Sequence, residues 1–250
     1  MPEINISGAI RLPKAVAKPK PASSPCAACT IRDLAVCSAL EGTELDRLNA
    51  IRMPAQMTGG GTLFDEGATA DYVYNLTVGT MKLYRLLPDG RRQITGFVYP
   101  GDFLGLANNG ERAYTAEALS DISLCKFKRG QLENLFNEFP KLKDRLLGIS
   151  RDELVAAQAQ MLLLGRKTAR ERIASFIIAT IERAELMGLP TNPIEVPMSR
   201  NDIGDYLGLT TETVSRTLTR LKQTKMISLP ANKQIGIIDR DGLTKIAEGF

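Results

Sequence analysis

Hydrophobic and polar positions change their period along this chain. From about Thr62 to Phe127 they form short apolar or alternating runs, "TLFDEGA", "DYVYNLTVGTMKLYRLLPDGRRQITGFVYPGDFLGL" and "YTAEALSDISLCKF". Such runs, bounded by turn residues, predict strands. Gly67, Gly79, Gly90 and Gly101 punctuate them roughly every 11 residues, and Asp89-Gly90 reads as a hairpin turn. The stretch predicts a β-roll or small antiparallel barrel.

After Pro140 the period becomes helical. In "LKDRLLGISRDELVAAQAQMLLLGRK", Leu147, Leu154, Ala157, Met161 and Leu164 fall at a and d positions, with Ser150 as the polar member of the seam. A stripe of that length needs a partner, either the chain's own β domain or the same helix of a second copy. Thr168 with Glu171 forms a capping box opening another helix, "ARERIASFIIATIERAELMG". Farther on, Ser199 with Asp202 caps "RNDIGDYL", Gly208 breaks it, and Thr210 caps "TETVSRTLTRLKQTK". "MISLP" and "QIGIID" then alternate as two short strands. Helix, tight glycine turn, helix, hairpin is a winged helix-turn-helix, whose second helix enters a DNA major groove with its N-terminal residues foremost.

On that helix Glu212, Ser215 and Arg216 share one face, and Leu218 and Leu221 fall on the buried side. An arginine can donate twice to guanine, a carboxylate can accept from cytosine N4, and a hydroxyl suits several base edges. Thr211 begins the helix beside them, while Arg220, Lys222 and Lys225 lie where phosphates would pass. A surface helix with a Glu–Arg pair at i, i+4 explains the residue types equally well; the capped helix and glycine turn before it favour DNA.

Composition narrows the chemistry. With 250 residues, 44% apolar and 24% charged, the chain fits one large or two smaller globular domains. The net charge of +4 is weak evidence for nucleic acid. The absence of histidine excludes Ser-His-Asp and Cys-His nucleophiles, imidazole-bound zinc and haem on a proximal histidine. No catalytic constellation is visible, so an enzyme is not expected. No signal-peptide core or apolar run of about 18 residues is present, which predicts a cytoplasmic protein with reduced thiols and no membrane partner. Residues 1–22 read as a disordered tail, and Thr43 with Asp46 reads as the cap of a short helix, "ELDRLNAIR".

The four cysteines are unevenly placed. Cys26, Cys29 and Cys37 lie in "PCAACTIRDLAVCSAL" with C-x2-C-x7-C spacing, and Cys125 lies far along on an expected strand. Four soft thiolates complete an iron-sulfur or a structural zinc site; unrelated free thiols, with Cys125 a small apolar residue, are the remaining reading.

The β-roll, the long central helix and "DYLGLTTETVSRTLTRLK" together resemble the cyclic-AMP receptor and fumarate-nitrate regulator (CRP/FNR) superfamily, over about residues 23 to 250. "LPDGRRQITGFVYPGDFLGL" and "LLLGRKTARERIASF" carry the same resemblance. It implies an α+β chain divided into a tail (1–22), a cysteine-containing loop (23–45), a β-roll sensor of cyclic-nucleotide-binding type (46–140), a dimerisation helix (141–167) and a winged helix-turn-helix (168–250). The Glu212, Ser215 and Arg216 set resembles the FNR branch, which reads inverted repeats of TTGAT half-sites. That implies a homodimer on double-stranded DNA with RNA polymerase as a further partner. FNR-type oxygen sensors carry three N-terminal cysteines and one in the roll, so the resemblance assigns Cys26, Cys29, Cys37 and Cys125 to an oxygen-labile 4Fe-4S cluster. The x7 gap is like that of alphaproteobacterial members.

The resemblance also places Thr30 and Val36, next to ligands, where they tune cluster reactivity. Cyclic nucleotide is not expected: Gly105-Leu106-Ala107 lacks the glutamate of the cyclic-AMP branch, and Arg112 is followed by Ala113 and Tyr114. "LVAAQAQMLLLG" carries no acidic residue to separate two helices when the cluster is lost.

Overall fold

The computed structural model describes residues 25–105 and 110–250. The expected tail (1–22) and the Leu106-Ala107 departure lie outside the described residues.

Eight strands build the roll as two antiparallel sheets: β1 (Met53–Met57), β2 (Thr62–Phe64), β3 (Tyr72–Val78), β4 (Met81–Leu86), β5 (Arg92–Val98), β6 (Phe103–Leu104), β7 (Thr115–Ala118) and β8 (Ile122–Lys128). One sheet has the order β1-β8-β3-β6 and the other β2-β7-β4-β5. The inward residues of both, among them Tyr74, Leu76, Met81, Val98, Leu104 and Leu124, make the core between them. Asp89-Gly90 turns the chain between β4 and β5, with the Gly90 N–H donating to the Leu87 carbonyl at 2.9 Å.

Ahead of the roll, α1 (Gly42–Ile51) is capped by Glu41 with Glu44, and not by Thr43 with Asp46. The helix starts two residues earlier than the Thr43 reading requires, and so turns Leu45 and Leu48 into the core. After the roll come α2 (Arg129–Glu138) and the 27-residue α3 (Pro140–Arg166), which begins on a proline whose missing N–H is not needed at that position. Leu142 is buried, and Leu146 and Ile149 pack on the core shared by α1, α2 and the cysteine segment. Beyond that, Leu147, Leu154 and Met161 stay 47%, 60% and 72% exposed. Among the described residues these three positions therefore do not pack on the chain's own β domain.

The C-terminal domain holds α4 (Ala169–Leu186), β9 (Ile194–Glu195), α5 (Arg200–Leu207), α6 (Thr211–Gln223), β10 (Ile227–Ser228), β11 (Gln234–Ile237) and α7 (Arg240–Glu248). The expected capping boxes at Thr168 and Ser199 and the Thr210 cap all form. β9 adds a third strand to the expected hairpin, in the order β10-β11-β9. This domain packs against the roll: the Phe97 ring of β5 lies 6.3 Å from Phe176 of α4 and 4.9 Å from Tyr206 of α5.

Candidate cysteine centre and nucleic-acid interface

The cysteine segment folds as successive turns. The Cys29 N–H donates to the Cys26 carbonyl at 3.4 Å, Arg32 N–H to Cys29 at 3.3 Å, and Ala35 N–H to Ile31 at 3.2 Å, before a 3-10 helix at Val36–Ala39. Ala35, Val36 and Leu40 are buried and anchor it, and the Arg32 guanidinium closes the loop on the Leu40 carbonyl at 2.6 Å. Cys125, on β8, pairs with Pro54 of β1 and Asn75 of β3. Strand alternation turns its side chain away from Leu124, which lies in the roll core, and toward the segment.

All four cysteines line one cavity of about 330 Å³, together with Thr30, Val36, Arg52 and Asn75. That volume is far above the roughly 10–15 Å³ that admits one water, so a group of several atoms fits there. Among the described residues no three Cys, Asp or Glu side chains converge as they would on a single ion. A tetrahedral zinc needs sulfurs drawn in to about 2.3 Å from one metal. The thiols instead surround a space.

Electrostatics ties the thiols together. Burial pushes Cys37 up to about 12, and the neighbouring thiolates of Cys29, Cys26 and Cys125 push the same way. Burial likewise raises Cys26 and Cys125; the Arg52 cation opposes the rise at both, while Cys29 adds to it. Four thiolates at such range repel one another, and a cationic centre among them relieves that repulsion while displacing their protons. Arg52 and Asn49 had no signal in the sequence. The Cys26 thiol donates to Asn49 Oδ1 at 3.4 Å, and Arg52 Nε donates to the same oxygen at 3.3 Å. Val36 is 1% exposed against this cavity, and Thr30 is exposed at its edge.

The second constellation is α6. Val214, Leu218 and Leu221 are buried, leaving Thr211, Glu212, Ser215, Arg216 and Arg220 exposed. Thr210 Oγ1 accepts the Thr213 N–H at 3.1 Å. Glu212 and Arg216 form the i, i+4 pair at 3.6 Å, both more than 70% exposed, so neither is committed to the protein interior. Two glycines set the crossing of α5 and α6. Gly208 ends α5 with φ of 64°, and a Cβ on Gly204 would lie 2.6 Å from the Leu209 carbonyl oxygen.

Residues 171–246 match the Crp-like helix-turn-helix domain and residues 56–139 the cyclic nucleotide-binding domain. The chain is 40% identical to the nitrogen fixation regulation protein FixK of Bradyrhizobium diazoefficiens over 204 residues, covering 82% of this chain and 86% of that protein. The chain belongs to the CRP/FNR family of DNA-binding transcriptional regulators. It is a regulator and not an enzyme. The transcriptional activator protein FnrL of Cereibacter sphaeroides is 38% identical over 218 residues, with 86% and 88% covered. Among solved structures, that of FixK2 from Bradyrhizobium japonicum superposes with a TM-score of 0.74 at 37% identity, covering 78% of this chain and 97% of that one.

In this CRP/FNR regulator a buried arginine lies beside Gly105 in the roll. Arg112 is buried, its guanidinium 4.2 Å from the Phe64 ring centre and 5.5 Å from that of Tyr74, and Nη2 donates to the Tyr72 carbonyl at 2.5 Å. The seam residues Leu147, Leu154, Ala157 and Met161 of α3 are exposed; Ser150 is half-buried, with its hydroxyl donating to the Leu146 carbonyl at 3.0 Å, and Leu164 is half-buried. No helix among the described residues is long and apolar enough to cross a membrane.

Proposed function

We propose that this regulator responds to oxygen through a 4Fe-4S cluster held by Cys26, Cys29, Cys37 and Cys125. The observation that carries the reading is the shared cavity: three thiols of one segment and one from β8 face the same space. The donor set of four soft sulfurs and no imidazole fits the group. When bound, such a cluster supplies a centre that oxygen destroys.

The chain's own residues convert that into DNA affinity. Ligation by Cys125 as well as Cys26, Cys29 and Cys37 ties the segment to the roll, and Val36 and Leu40 then share their core with Leu142, Leu146 and Ile149 of α3. The start of α3 is held, so its exposed stripe of Leu147, Ser150, Leu154, Ala157, Met161 and Leu164 presents one surface to a second copy. A two-fold dimer places two copies of α6 about one DNA turn apart. Glu212, Ser215 and Arg216 read base edges of TTGAT half-sites, with Thr211 and Arg220 beside them at the backbone. RNA polymerase is the further partner and the cytoplasm the compartment. The FnrL relative, named a transcriptional activator, supports activation as the output. The missing glutamate after Gly105 and the Ala113-Tyr114 that follows Arg112 support an effector other than cyclic nucleotide.

Anaerobic purification tests the reading. Iron and sulfide in equal amounts, a visible absorption that bleaches in air, and affinity for a TTGAT inverted repeat that falls with the bleaching are expected. A colourless protein with one zinc per chain, binding DNA equally in air, would overturn it.

A further inference from the structure

We propose that Arg92 and Lys82, in the roll, are positioning residues for DNA binding: through Asp202, Asp205 and Asn201 they seat Thr211 and the first turn of α6. This rests on α6 as the base-reading helix. Charged side chains are buried between the roll and the DNA-binding domain. Lys82 and Asp202 have side chains only 6% and 7% exposed, and Lys82 Nζ lies 3.1 Å from Asp202 and 2.9 Å from Glu117 of β7. Arg92 reaches two carboxylates of α5 at once, Nη2 to Asp202 at 3.0 Å and Nε to Asp205 at 2.8 Å. Buried charges this well paired give an orientation more than they give stability, because any rotation of α5 leaves one of them without its partner.

From Asp205 the contacts continue to the DNA face. Asn201 Nδ2 donates to Asp205 Oδ2 at 3.4 Å, and Asn201 Oδ1 accepts from Thr211 Oγ1 at 3.1 Å. Thr211 is the first residue of α6, one position before Glu212. A continuous set of hydrogen-bonded side chains thus runs from β5 to the end of the reading helix that meets DNA first. The Asp202 carboxylate also accepts the Ser199 N–H at 3.0 Å, so the same anion that Lys82 and Arg92 neutralise caps α5. The remaining end of α5 is held from the other side, where Gln160 of α3 donates to the Tyr206 carbonyl at 2.9 Å. α5 is clamped between the sensor roll and the dimer helix, and α6 takes its bearing from α5.

The test uses the full-length dimer, with a duplex carrying two TTGAT half-sites and a scrambled duplex of equal length. Arg92→Ala and Asn201→Ala are each expected to weaken specific binding by about tenfold, within the range of couplings between distinct sites, with scrambled-duplex binding unchanged. The double variant should be no worse than the weaker single one, since both interrupt one path. Unchanged or tighter specific binding by both single variants, or losses that add, would overturn the proposal. Should Arg92→Ala melt the roll, the exposed Asn201 decides alone: its alanine variant at wild-type affinity also overturns it. Arg216→Ala separates this failure from failure of the underlying reading, because if that variant too binds both duplexes as the wild type does, α6 is not the reading helix.

Discussion

Arg145, on the second turn of α3, donates a hydrogen bond of 2.9 Å to the main-chain oxygen of Leu34, in the middle of the cysteine segment. One guanidinium therefore joins the helix proposed to dimerise to the loop proposed to hold the cluster. Arg145→Ala should cost about 1.5–3 kcal/mol of docking, the usual worth of a charged hydrogen bond. Hydrogen exchange over residues 31–40 should quicken, and the dimer fraction of cluster-loaded protein should fall in analytical ultracentrifugation. A variant that dimerises as the wild type does would assign the coupling to Leu142, Leu146 and Ile149 instead.

Cys125 stands nearly ninety positions beyond Cys37, the nearest in sequence of its proposed co-ligands, and faces the same cavity. Cys125→Ala should lose iron after anaerobic reconstitution as completely as Cys29→Ala. The check is iron per chain together with visible absorption. A Cys125 variant that keeps its full iron content would remove this residue from the site.

Val36 is buried against the cavity and offers it only an apolar side chain. Val36→Ala should cost about 1–3 kcal/mol of stability as a large-to-small core change and should shorten the time for bleaching in air by opening a path to the sulfurs. Val36→Leu should lengthen it. Equal decay times for the two variants would rule out this side chain as the gate.

Arg216 and Arg220 lie on the same exposed helix but should fail differently. Arg216→Ala is expected to cost about 1–3 kcal/mol of discrimination at one base pair, whereas Arg220→Ala should weaken all duplexes alike and reduce the salt slope by about 1. Competition binding against single-position variants of the half-site, repeated at several salt concentrations, separates the two.

Acid should loosen the join between roll and DNA-binding domain. Burial favours the neutral carboxyl of Asp202, yet hydrogen bonds from the Ser199 hydroxyl and N–H and from Lys82 outweigh it and hold the group below the usual carboxylate range. Lys82 of β4 and Arg92 of β5 face it, with Glu117 of β7 on the far side of Lys82. A depressed carboxylate stabilises fully above its unfolded value of about 3.9 and loses that contribution as pH falls through the folded one. Denaturant unfolding should therefore show a loss below about pH 4 that Asp202→Asn lacks. The same variant should cost about 3 kcal/mol near neutrality, because Lys82 and Arg92 stay in place without their shared anion. A wild-type acid limb in Asp202→Asn would place the titrating group elsewhere.

Much of this architecture is encoded in short windows. The caps at Thr168, Ser199 and Thr210 each involve residues three positions apart, and the strands of the roll follow from alternation and glycine spacing, so neither needs distant partners to be recognised. The cap of α1 was not legible in the same way. Glu41 and Thr43 both offer a side-chain oxygen, and the choice between them is made by which start buries Leu45 and Leu48. α2, α7 and β9 are short segments whose apolar residues acquire a face only when another element covers them.

The winged helix, the long helix and its apolar stripe, and the set of four soft thiolates were thus determined by the sequence alone, through local periodicity, capping and residue chemistry. Tertiary structure alone decided that Leu147, Leu154 and Met161 stay largely exposed among the described residues, that Cys125 turns toward Cys26, Cys29 and Cys37, that Arg52 stands among them, and that Arg92 meets Asp205 across more than a hundred residues. Period and propensity act over one or two turns of chain. Which charges and thiols share a low-dielectric space depends on how whole sheets and helices pack.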